Sequence, residues 1–278
     1  MSALHPDWLV PDWPAPRRVR SVFTTRAGGV SASPFDAMNL GDHVDDAPAS
    51  VAANRQALAR AIGATPIFLR QVHGREVAVW STADDALAPT TEADACLTAQ
   101  PGLACTIMVA DCLPVLFTDR QGTAVAAAHA GWRGLAGSSG SAGSAAQGVL
   151  ETTQEALVRR TGSSTADLLA WLGPCIGPTA FEVGDEVRDV FVAMQAEAEG
   201  CFRPQPVVGR ERSGQPRKWL ADLPALARLR LRAAGLGDGQ IYGNDSSAAW
   251  CTVGQASRFF SYRRDRATGR MAACIWLD

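Results

Sequence analysis

One thiol and two imidazoles occupy positions where a folded sheet can bring them together. The chain has only four histidines, and His129 follows Cys112 by 17 positions. The two apolar segments that carry them are joined by a polar turn at 119–122, which predicts a pair of adjacent strands. His73 ends another strand-like segment, 66–72. A Cys and two His at strand ends suit either a metal site or a nucleophilic pair.

The residue types leave three interpretations open. Zinc favours Cys thiolates and His nitrogens, and a catalytic zinc keeps three protein ligands and one open position; His73, Cys112 and His129 supply such a set. Alternatively, Cys112 is a nucleophile activated by His129, which leaves His73 without a role. In the third interpretation, Cys112 is a small buried apolar residue and the histidines are ordinary core or surface groups.

Charged residues near these segments offer supporting roles. Asp111, next to the thiol, can orient a metal ligand. Glu182 and Asp185 precede a predicted helix, where a carboxylate either stabilises the helix N-terminus or acts as a general acid or base. Arg26 and Arg133 follow strands and stand beside glycines. Each can hold a phosphate or carboxylate through two hydrogen bonds, or form a structural salt bridge.

Composition narrows the class of protein. The chain of 278 residues is 47% hydrophobic and 19% charged with a net charge of −2, which indicates a globular protein without the basic face of a nucleic-acid binder. The N-terminus lacks a signal peptide and no apolar run reaches ~18 residues, so a cytoplasmic protein outside the membrane is predicted. An odd number of cysteines, seven, without a CxxC pair fits a reducing compartment.

Strands outnumber helices in the pattern and come in adjacent pairs, which predicts mixed or antiparallel sheets. We expect one domain, 1–278, with an N-terminal arm at 1–18, a flexible Gly/Ser/Ala segment at 135–147 and an exposed loop at 204–216. Predicted helices are 50–62, 149–160, 186–199 and 223–234. Predicted strands are 19–25, 66–72, 76–80, 93–98, 104–109, 115–118, 123–129, 168–172, 258–262 and 271–277, the last two as a closing hairpin.

Seven segments, in order along nearly the whole chain, carry a more specific signal. They are FTTRAGGVS (23–31), NLGDHVDD (39–46), QVHG (71–74), ADCLPVLF (110–117), AAAHAGWRG (126–134), LGPCIGPTAFEVG (172–184) and FFSYRRDRATGRMAACIWL (259–277). With these segments the chain resembles the bacterial multicopper-polyphenol-oxidase-like proteins, also called the laccase-domain or peptidoglycan-editing-factor family.

The resemblance implies an α/β (α+β) layered sandwich, with sheets between helices, similar to a toxin with a Cys–His hydrolase site. It implies zinc held by His73, Cys112 and His129. Copper is disfavoured, because multicopper sites need many histidines and this chain has four. Asn39 and Gln71, within matched segments, join Arg26 and Arg133 as expected substrate- or phosphate-binding residues. The expected catalytic residues are His73, Cys112, His129, Asp111 and Glu182.

The activity implied by the resemblance is zinc-dependent phosphorolysis of adenosine, inosine, guanosine and methylthioadenosine, with adenosine deaminase activity. The expected partners are a purine nucleoside and phosphate, and the expected state is a monomer or weak dimer.

One alternative is a cytoplasmic amidase that removes L-serine from a UDP-muramyl precursor of peptidoglycan. Another is a non-enzymatic protein with a structural zinc, for which Cys175 is a candidate fourth ligand. A copper phenol oxidase is disfavoured. The segments 135–147 and 245–249 look inserted relative to the family.

Overall fold

The computed structural model describes residues 4–82, 91–137, 147–205 and 217–278. Its helices are α1 (Pro48–Ile62), α2 (Trp132–Ala136), α3 (Val149–Thr161), α4 (Asp185–Met194), α5 (Leu223–Ala233) and α6 (Tyr262–Asp265). Its strands are β1 (Val19–Phe23), β2 (Thr65–Ile67), β3 (Val77–Trp80), β4 (Ala95–Thr98), β5 (Leu103–Val109), β6 (Leu113–Asp119), β7 (Val125–Ala130), β8 (Leu168–Leu172), β9 (Glu182–Gly184), β10 (Phe202–Pro204), β11 (Lys218–Ala221), β12 (Ile241–Gly243) and β13 (Met271–Leu277).

The described strands form three sheets. The largest has the order β12-β8-β6-β7-β4-β3, with parallel pairs only at its two edges. The second has the order β1-β13-β5-β2 and is antiparallel except for β2–β5. The third is a small antiparallel sheet, β10-β11-β9. The prediction of mixed and antiparallel sheets is therefore confirmed.

The two large sheets pack face to face between helices. Phe23, Cys105, Leu116 and Trp171 are among the buried residues that fill the space between the sheets. The outer face of the six-stranded sheet packs on α3 and α5, and the outer face of the four-stranded sheet packs with α1 residues such as Leu58. Strands covered on both faces need no polar side, which explains the continuous apolar sequences of β5, β6 and β13.

Helix α1 carries side chains to both the core and the site. Pro48 occupies its first turn, where a missing N–H costs nothing, and Gly63 ends it in a left-handed conformation with φ 67°. The buried Asn54 donates hydrogen bonds to the carbonyls of Ala37 and Asn39, at 3.0 and 2.9 Å. The helix therefore fixes the segment that precedes it in the chain.

Two predicted strands are wrong or too long. The segment 66–72 is a strand only to Ile67, and the chain then turns toward the site with Leu69 buried. The predicted hairpin partner 258–262 is not a strand; β13 has β1 on one side and β5 on the other, so no edge remains for it. Phe259 and Phe260 are instead fully buried side chains on a loop. The predicted helix 186–199 ends at Met194, and a 3₁₀ helix follows at Ala196–Cys201.

Two further expectations meet the structure only in part. Leu135 and Ala136, which the sequence places in a flexible segment at 135–147, are buried in α2, and residues 138–146 lie outside the described residues. Within the loop expected at 204–216, Pro204 belongs to β10, and residues 206–216 also lie outside the described residues. In the N-terminal arm, Leu9 forms a β-bridge with Phe23.

No helix in the described parts of the chain has the length and apolar character to cross a membrane.

Candidate metal centre and its cavity

The β6–β7 hairpin brings Cys112 and His129 together. Its antiparallel register pairs Leu113 with Ala130 and Pro114 with His129. Cys112 directly precedes β6, so its side chain lies where β7 ends. A Cβ placed on Gly131 would be 3.1 Å from the Cys112 sulfur, which shows how closely the two strand ends approach. The predicted strand pair and the meeting of thiol and imidazole are both observed.

His73 reaches the same place from a loop held by one carboxylate. The buried Asp94 accepts hydrogen bonds from the backbone N–H groups of Val72, His73 and Gly74, at 3.0, 2.9 and 2.7 Å. His73 itself has a positive φ of 62°, an uncommon conformation for a residue with a side chain. The same carboxylate lies 2.7 Å from His129 Nδ1. Asp94 therefore fixes both histidines relative to each other.

The ligand atoms of His73, Cys112 and His129 all lie within 4.8 Å of one another. Cys112 Sγ is 3.7 Å from His73 Nε2. Tetrahedral zinc with ordinary Zn–S and Zn–N bonds separates S and N ligands by roughly 3.6 Å. Asp94 binds the Nδ1 side of the His129 ring and leaves Nε2 for a metal, the usual arrangement of a carboxylate behind a ligating histidine. The donor set fits zinc, and so does the distance between Cys112 Sγ and His73 Nε2.

The charges at the cluster favour a thiolate next to an imidazolium in the metal-free protein. Burial by itself would raise the pKa of Cys112, but His129 and His73 outweigh it and lower that pKa to about 6. Burial would also lower the pKa of His129, but the Cys112 thiolate and Asp94 raise it to about 9. Burial opposes the ionisation of Asp94, and its bond to His129 nevertheless keeps its pKa below the ordinary value. A cation can replace the imidazolium proton as the counter-charge of the thiolate.

The cluster lines a cavity of about 900 Å³. Apolar and aromatic side chains, among them Phe68, Trp132 and Phe181, form part of the wall. The same wall carries a set of cationic side chains: Arg55, Arg70, Arg133, Arg263 and Arg270. A pocket of this volume lined by apolar side chains and a few polar groups is typical of small-molecule sites. The arginines favour an anionic ligand.

Three predicted site residues besides the ligands line this cavity. Gln71 is bound through both ends of its amide to the backbone of Met108, at 2.8 Å each. Arg133 is exposed and lies over the Trp132 ring. Asp111 accepts hydrogen bonds from Thr252 Oγ1 and the Arg263 N–H, both at 2.6 Å. Asp111 thus faces the cavity with both carboxylate oxygens already bound.

The structure places three other predicted residues outside the cavity wall. Arg26 donates to Asp36 and to the Ala256 carbonyl, which is the structural alternative considered for it. Asn39 is buried behind the wall and accepts a hydrogen bond from the backbone of Arg270. The side chain of Glu182 is exposed.

The roles suggested for Asp185 and Cys175 also have structural alternatives. Asp185 begins α4 and accepts a hydrogen bond from Trp219 Nε1 at 2.7 Å. Cys175 is buried, and within the described residues it does not belong to the group that could hold a metal.

Sequence reasoning missed Asp94 and Arg270. Asp94 had a detectable signal, because a single carboxylate inside an otherwise apolar strand segment is rarely buried without a partner. Arg270 stands among several arginines near the C-terminus, so no local signal separates it from its neighbours.

Together, the fold and the site define a mixed α/β protein with a candidate His-Cys-His metal centre in an arginine-lined cavity. The chain belongs to the family described as multi-copper polyphenol oxidoreductase laccase, whose model matches residues 20–278.

Named relatives cover nearly the whole chain. A Pseudomonas aeruginosa protein named purine nucleoside phosphorylase is 50% identical over 271 residues, 98% of each chain. Purine nucleoside phosphorylase YfiH of Escherichia coli is 45% identical over 271 residues, 97% of this chain and 98% of that one. The crystal structure of a Neisseria meningitidis protein matches with a TM-score of 0.83 and 46% identity, covering 98% of this chain and 99% of the other. The relatives' names support an enzyme role.

Proposed function

We propose that this protein is a zinc-dependent purine nucleoside phosphorylase. The observation that carries the proposal is the three-ligand group of His73, Cys112 and His129 on the wall of a cavity that also carries arginines. Such a cavity can take an uncharged purine nucleoside together with phosphate. The names of the relatives support the same substrates. We expect adenosine, inosine, guanosine and methylthioadenosine to be substrates.

His73, Cys112 and His129 would hold the zinc, with Asp94 behind His129. Zinc in such a site supplies Lewis acidity toward an oxygen or nitrogen of the substrate. Asp94 keeps His129 in the tautomer that presents Nε2, and its three bonds to the 72–74 backbone hold His73 in place. The copper of the family description is disfavoured here, because the described residues offer one such His-Cys-His group and a chain with four histidines has few further ligands.

In phosphorolysis, a phosphate oxygen bonds to the anomeric carbon of the ribose as the bond from that carbon to the purine nitrogen breaks. The bonding electron pair leaves with the purine, which takes up a proton, and ribose 1-phosphate forms. The arginines of the wall neutralise the phosphate and hold it in place for this attack. The aromatic side chains Phe68, Trp132 and Phe181 offer flat apolar surfaces to the base.

Adenosine deaminase activity is part of the proposal. Water would add at C6 of the purine and ammonia would leave, so that adenosine gives inosine. The sequence predicts Asp111 and Glu182 as the proton carriers. Asp111 is the better placed of the two, because it lines the cavity whereas Glu182 does not.

A second candidate is the amidase that releases L-serine from a UDP-muramyl precursor by adding water across an amide bond. The observation that favours it is the cavity itself. A volume of about 900 Å³ with five arginines on its wall suits a substrate larger and more acidic than a nucleoside.

The test is a phosphate-dependence assay on purified protein with its zinc content measured. We expect about one zinc per chain, and release of base from adenosine and inosine only when phosphate is present, with ribose 1-phosphate as the second product. Full zinc occupancy without nucleoside turnover would contradict the proposal, and release of serine from the UDP-linked precursor would then select the amidase.

Substitution of a ligand tests the role of the metal. His129→Ala should abolish turnover and lower zinc affinity by more than ~100-fold. His5→Ala is the matched control, since His5 lies in the N-terminal arm against Gly28 and outside the cavity wall. Turnover at the wild-type rate in folded, zinc-free His129→Ala protein would exclude the zinc mechanism.

A further inference from the structure

We propose that Arg270 binds the phosphate that attacks the nucleoside, and that Asn39 and Gly41 position it. This inference rests on the proposed function and names a phosphate-binding residue in the same cavity. Arg26, which the sequence predicts as an anion-binding residue, lies outside the cavity wall, whereas Arg270 lines the cavity.

The arginines on the cavity wall differ in how many of their guanidinium N–H groups already bind acceptors of the protein. Arg55 donates to Asp42 at 3.2 Å and to a backbone carbonyl at 2.9 Å. Arg70 is paired with Glu92. Arg263 donates to two backbone carbonyls at 3.2 and 3.1 Å. These three guanidinium groups are largely occupied by the protein's own acceptors.

Arg270 is less occupied than these three arginines. Within the described parts of the chain it forms no ion pair, and its side-chain hydrogen bonds all come from Nη1, which donates to the carbonyls of Thr268 and Gly269 at 3.0 and 3.2 Å. The Nε and Nη2 donors remain available to a ligand in the cavity. A guanidinium with two free donors matches two oxygens of one phosphate.

The backbone around Arg270 is fixed on both sides of the residue. Its N–H donates to Asn39 Oδ1 at 2.8 Å, and its carbonyl accepts from the Leu40 N–H at 3.1 Å. Asn39 is fully buried and is itself held by Asp46 at 2.9 Å. Gly41 lies directly under the side chain, because a Cβ there would be 2.7 Å from Arg270 Cγ. The guanidinium is therefore preorganised, which lowers the entropic cost of binding an anion.

Arg270 also acts on the groups of the metal centre. Burial lowers the pKa of Arg270, whereas the negative charges of Cys112 and Asp111 raise it, so these groups are within electrostatic reach of one another. An arginine stays protonated in such a setting. Among the described residues, Arg133 and Arg263 also lack an ion pair, but Arg263 donates to two backbone carbonyls and Arg133 is exposed and rests on Trp132. We assign it the smaller share of phosphate binding.

The experiment measures phosphate binding separately from catalysis. Inorganic phosphate is titrated into zinc-loaded protein by calorimetry, and the KM values for phosphate and for inosine are determined in parallel. Arg270→Gln should weaken phosphate binding and raise the phosphate KM by roughly 10- to 100-fold, with the inosine KM changed less than about twofold. Arg270→Lys keeps the positive charge but lacks the two parallel N–H donors of the guanidinium. Its phosphate affinity should therefore lie between those of the wild type and Arg270→Gln. Arg258→Gln removes an arginine outside the cavity wall and should bind phosphate like the wild type.

Gly41→Ala provides a second variant that keeps every charge. Its new methyl group displaces the Arg270 side chain, so phosphate affinity should fall about tenfold while zinc content stays at the wild-type level. It also keeps the test informative in case Arg270→Gln folds poorly.

The outcomes separate this inference from the proposed function. Unchanged phosphate affinity in folded, zinc-replete Arg270→Gln protein would overturn the inference, whether or not nucleosides are substrates. Loss of phosphate binding in that variant, with no nucleoside turnover by the wild type, would uphold the anion site and reject the phosphorylase. If the wild type binds UDP but not inorganic phosphate, the assignment to free phosphate fails.

Discussion

Cys112 and Cys105 carry the same thiol in two regions of the molecule. Cys105 lies in β5 between the two large sheets, fully buried, with its sulfur 3.7 Å from the Val125 carbonyl. Burial and the neighbouring Cys96 raise its pKa well above the ordinary value. Cys112 is half-buried at a strand end, and its two histidine neighbours lower its pKa to about 6 despite the effect of burial.

The difference shows that the pKa of a cysteine here depends on its position in the fold. A thiol at a strand end can be ionised, whereas the same thiol between the two sheets cannot. A side chain in the middle of β5 is enclosed by the two sheets and meets apolar neighbours, which disfavour a charge. Where β6 begins and β7 ends, loops can supply polar groups such as His73 and the carboxylate of Asp94. Four predictions test how far this contrast extends, and they are ordered by the size of the expected effect.

The largest effect concerns alkylation of the two thiols in protein stripped of metal by a chelator. The thiolate is the reactive form, so Cys112 should react with iodoacetamide at pH 7 more than ~1000-fold faster than Cys105. Its rate should rise with pH to a midpoint at about 6, because the thiolate fraction grows as pH passes the pKa. In denaturant the midpoint should move to about 8.5. Peptide mass spectrometry gives both rates.

Zinc supplies the control for this experiment. Reloading the protein should protect Cys112 and leave Cys105 as unreactive as before. Equal rates at the two thiols in the native metal-free protein would contradict the electrostatic description of the site.

The second prediction concerns Asp94, the carboxylate that binds both His129 and the backbone of residues 72–74. Asp94→Asn should lower zinc affinity ~10- to 100-fold, since an amide orients His129 less well. It should also cost ~1–3 kcal/mol of unfolding free energy, because one amide oxygen cannot accept all the bonds of the carboxylate. Competition with a chromophoric chelator and urea denaturation measure the two effects.

Asp119 offers a matched comparison for Asp94. It is another fully buried carboxylate, and it accepts hydrogen bonds from the backbone and the hydroxyl of Thr123 at 2.7 and 2.6 Å, away from the metal centre. Asp119→Asn should lose stability without losing zinc affinity. A similar loss of zinc affinity in both variants would mean that Asp94 acts only through the stability of the fold.

The third prediction concerns Gly131, which lies at the strand end beside the ligands. A Cβ at this position would be 2.8 Å from His73 Cδ2 and 3.1 Å from Cys112 Sγ. Gly131→Ala should therefore push two ligands apart and lower zinc affinity about tenfold. Gly200→Ala is the control, because a Cβ at Gly200 meets no atom within 4 Å. Wild-type zinc affinity in Gly131→Ala would indicate that the ligand loops adjust freely.

The core between the sheets could be predicted from the sequence better than the strand ends that carry the site. The long apolar strands of the core, such as β5, β6 and β13, were predicted nearly to their ends, because burial on both faces leaves an uninterrupted pattern. Cys112 and His129 were found because a polar turn joins their strands and fixes a hairpin. The short strands β9 to β12 were missed, since three or four residues carry too little periodicity.

The remainder of the site depends on contacts between distant segments. Arg270 faces the cavity because the 39–41 segment binds its backbone, a contact that spans 231 positions. Residues 66–72 look like one strand, yet the bonds of Asp94 to Val72 and its neighbours bend their end into a loop. Neither contact leaves a local pattern. Arg26 and Glu182 had suitable local surroundings, and the packing of the chain places them outside the cavity wall.

The smallest effect is expected for Cys105→Ala. The substitution removes a sulfur from the packed space between the sheets, so it should cost about 1 kcal/mol of unfolding free energy. Zinc affinity and the alkylation rate of Cys112 should not change, because Cys105 contributes neither charge nor a hydrogen bond to the metal centre. Urea denaturation and a zinc titration on the same sample provide both measurements. A loss of zinc affinity would show that packing between the sheets controls the strand ends, and the two regions would then be coupled.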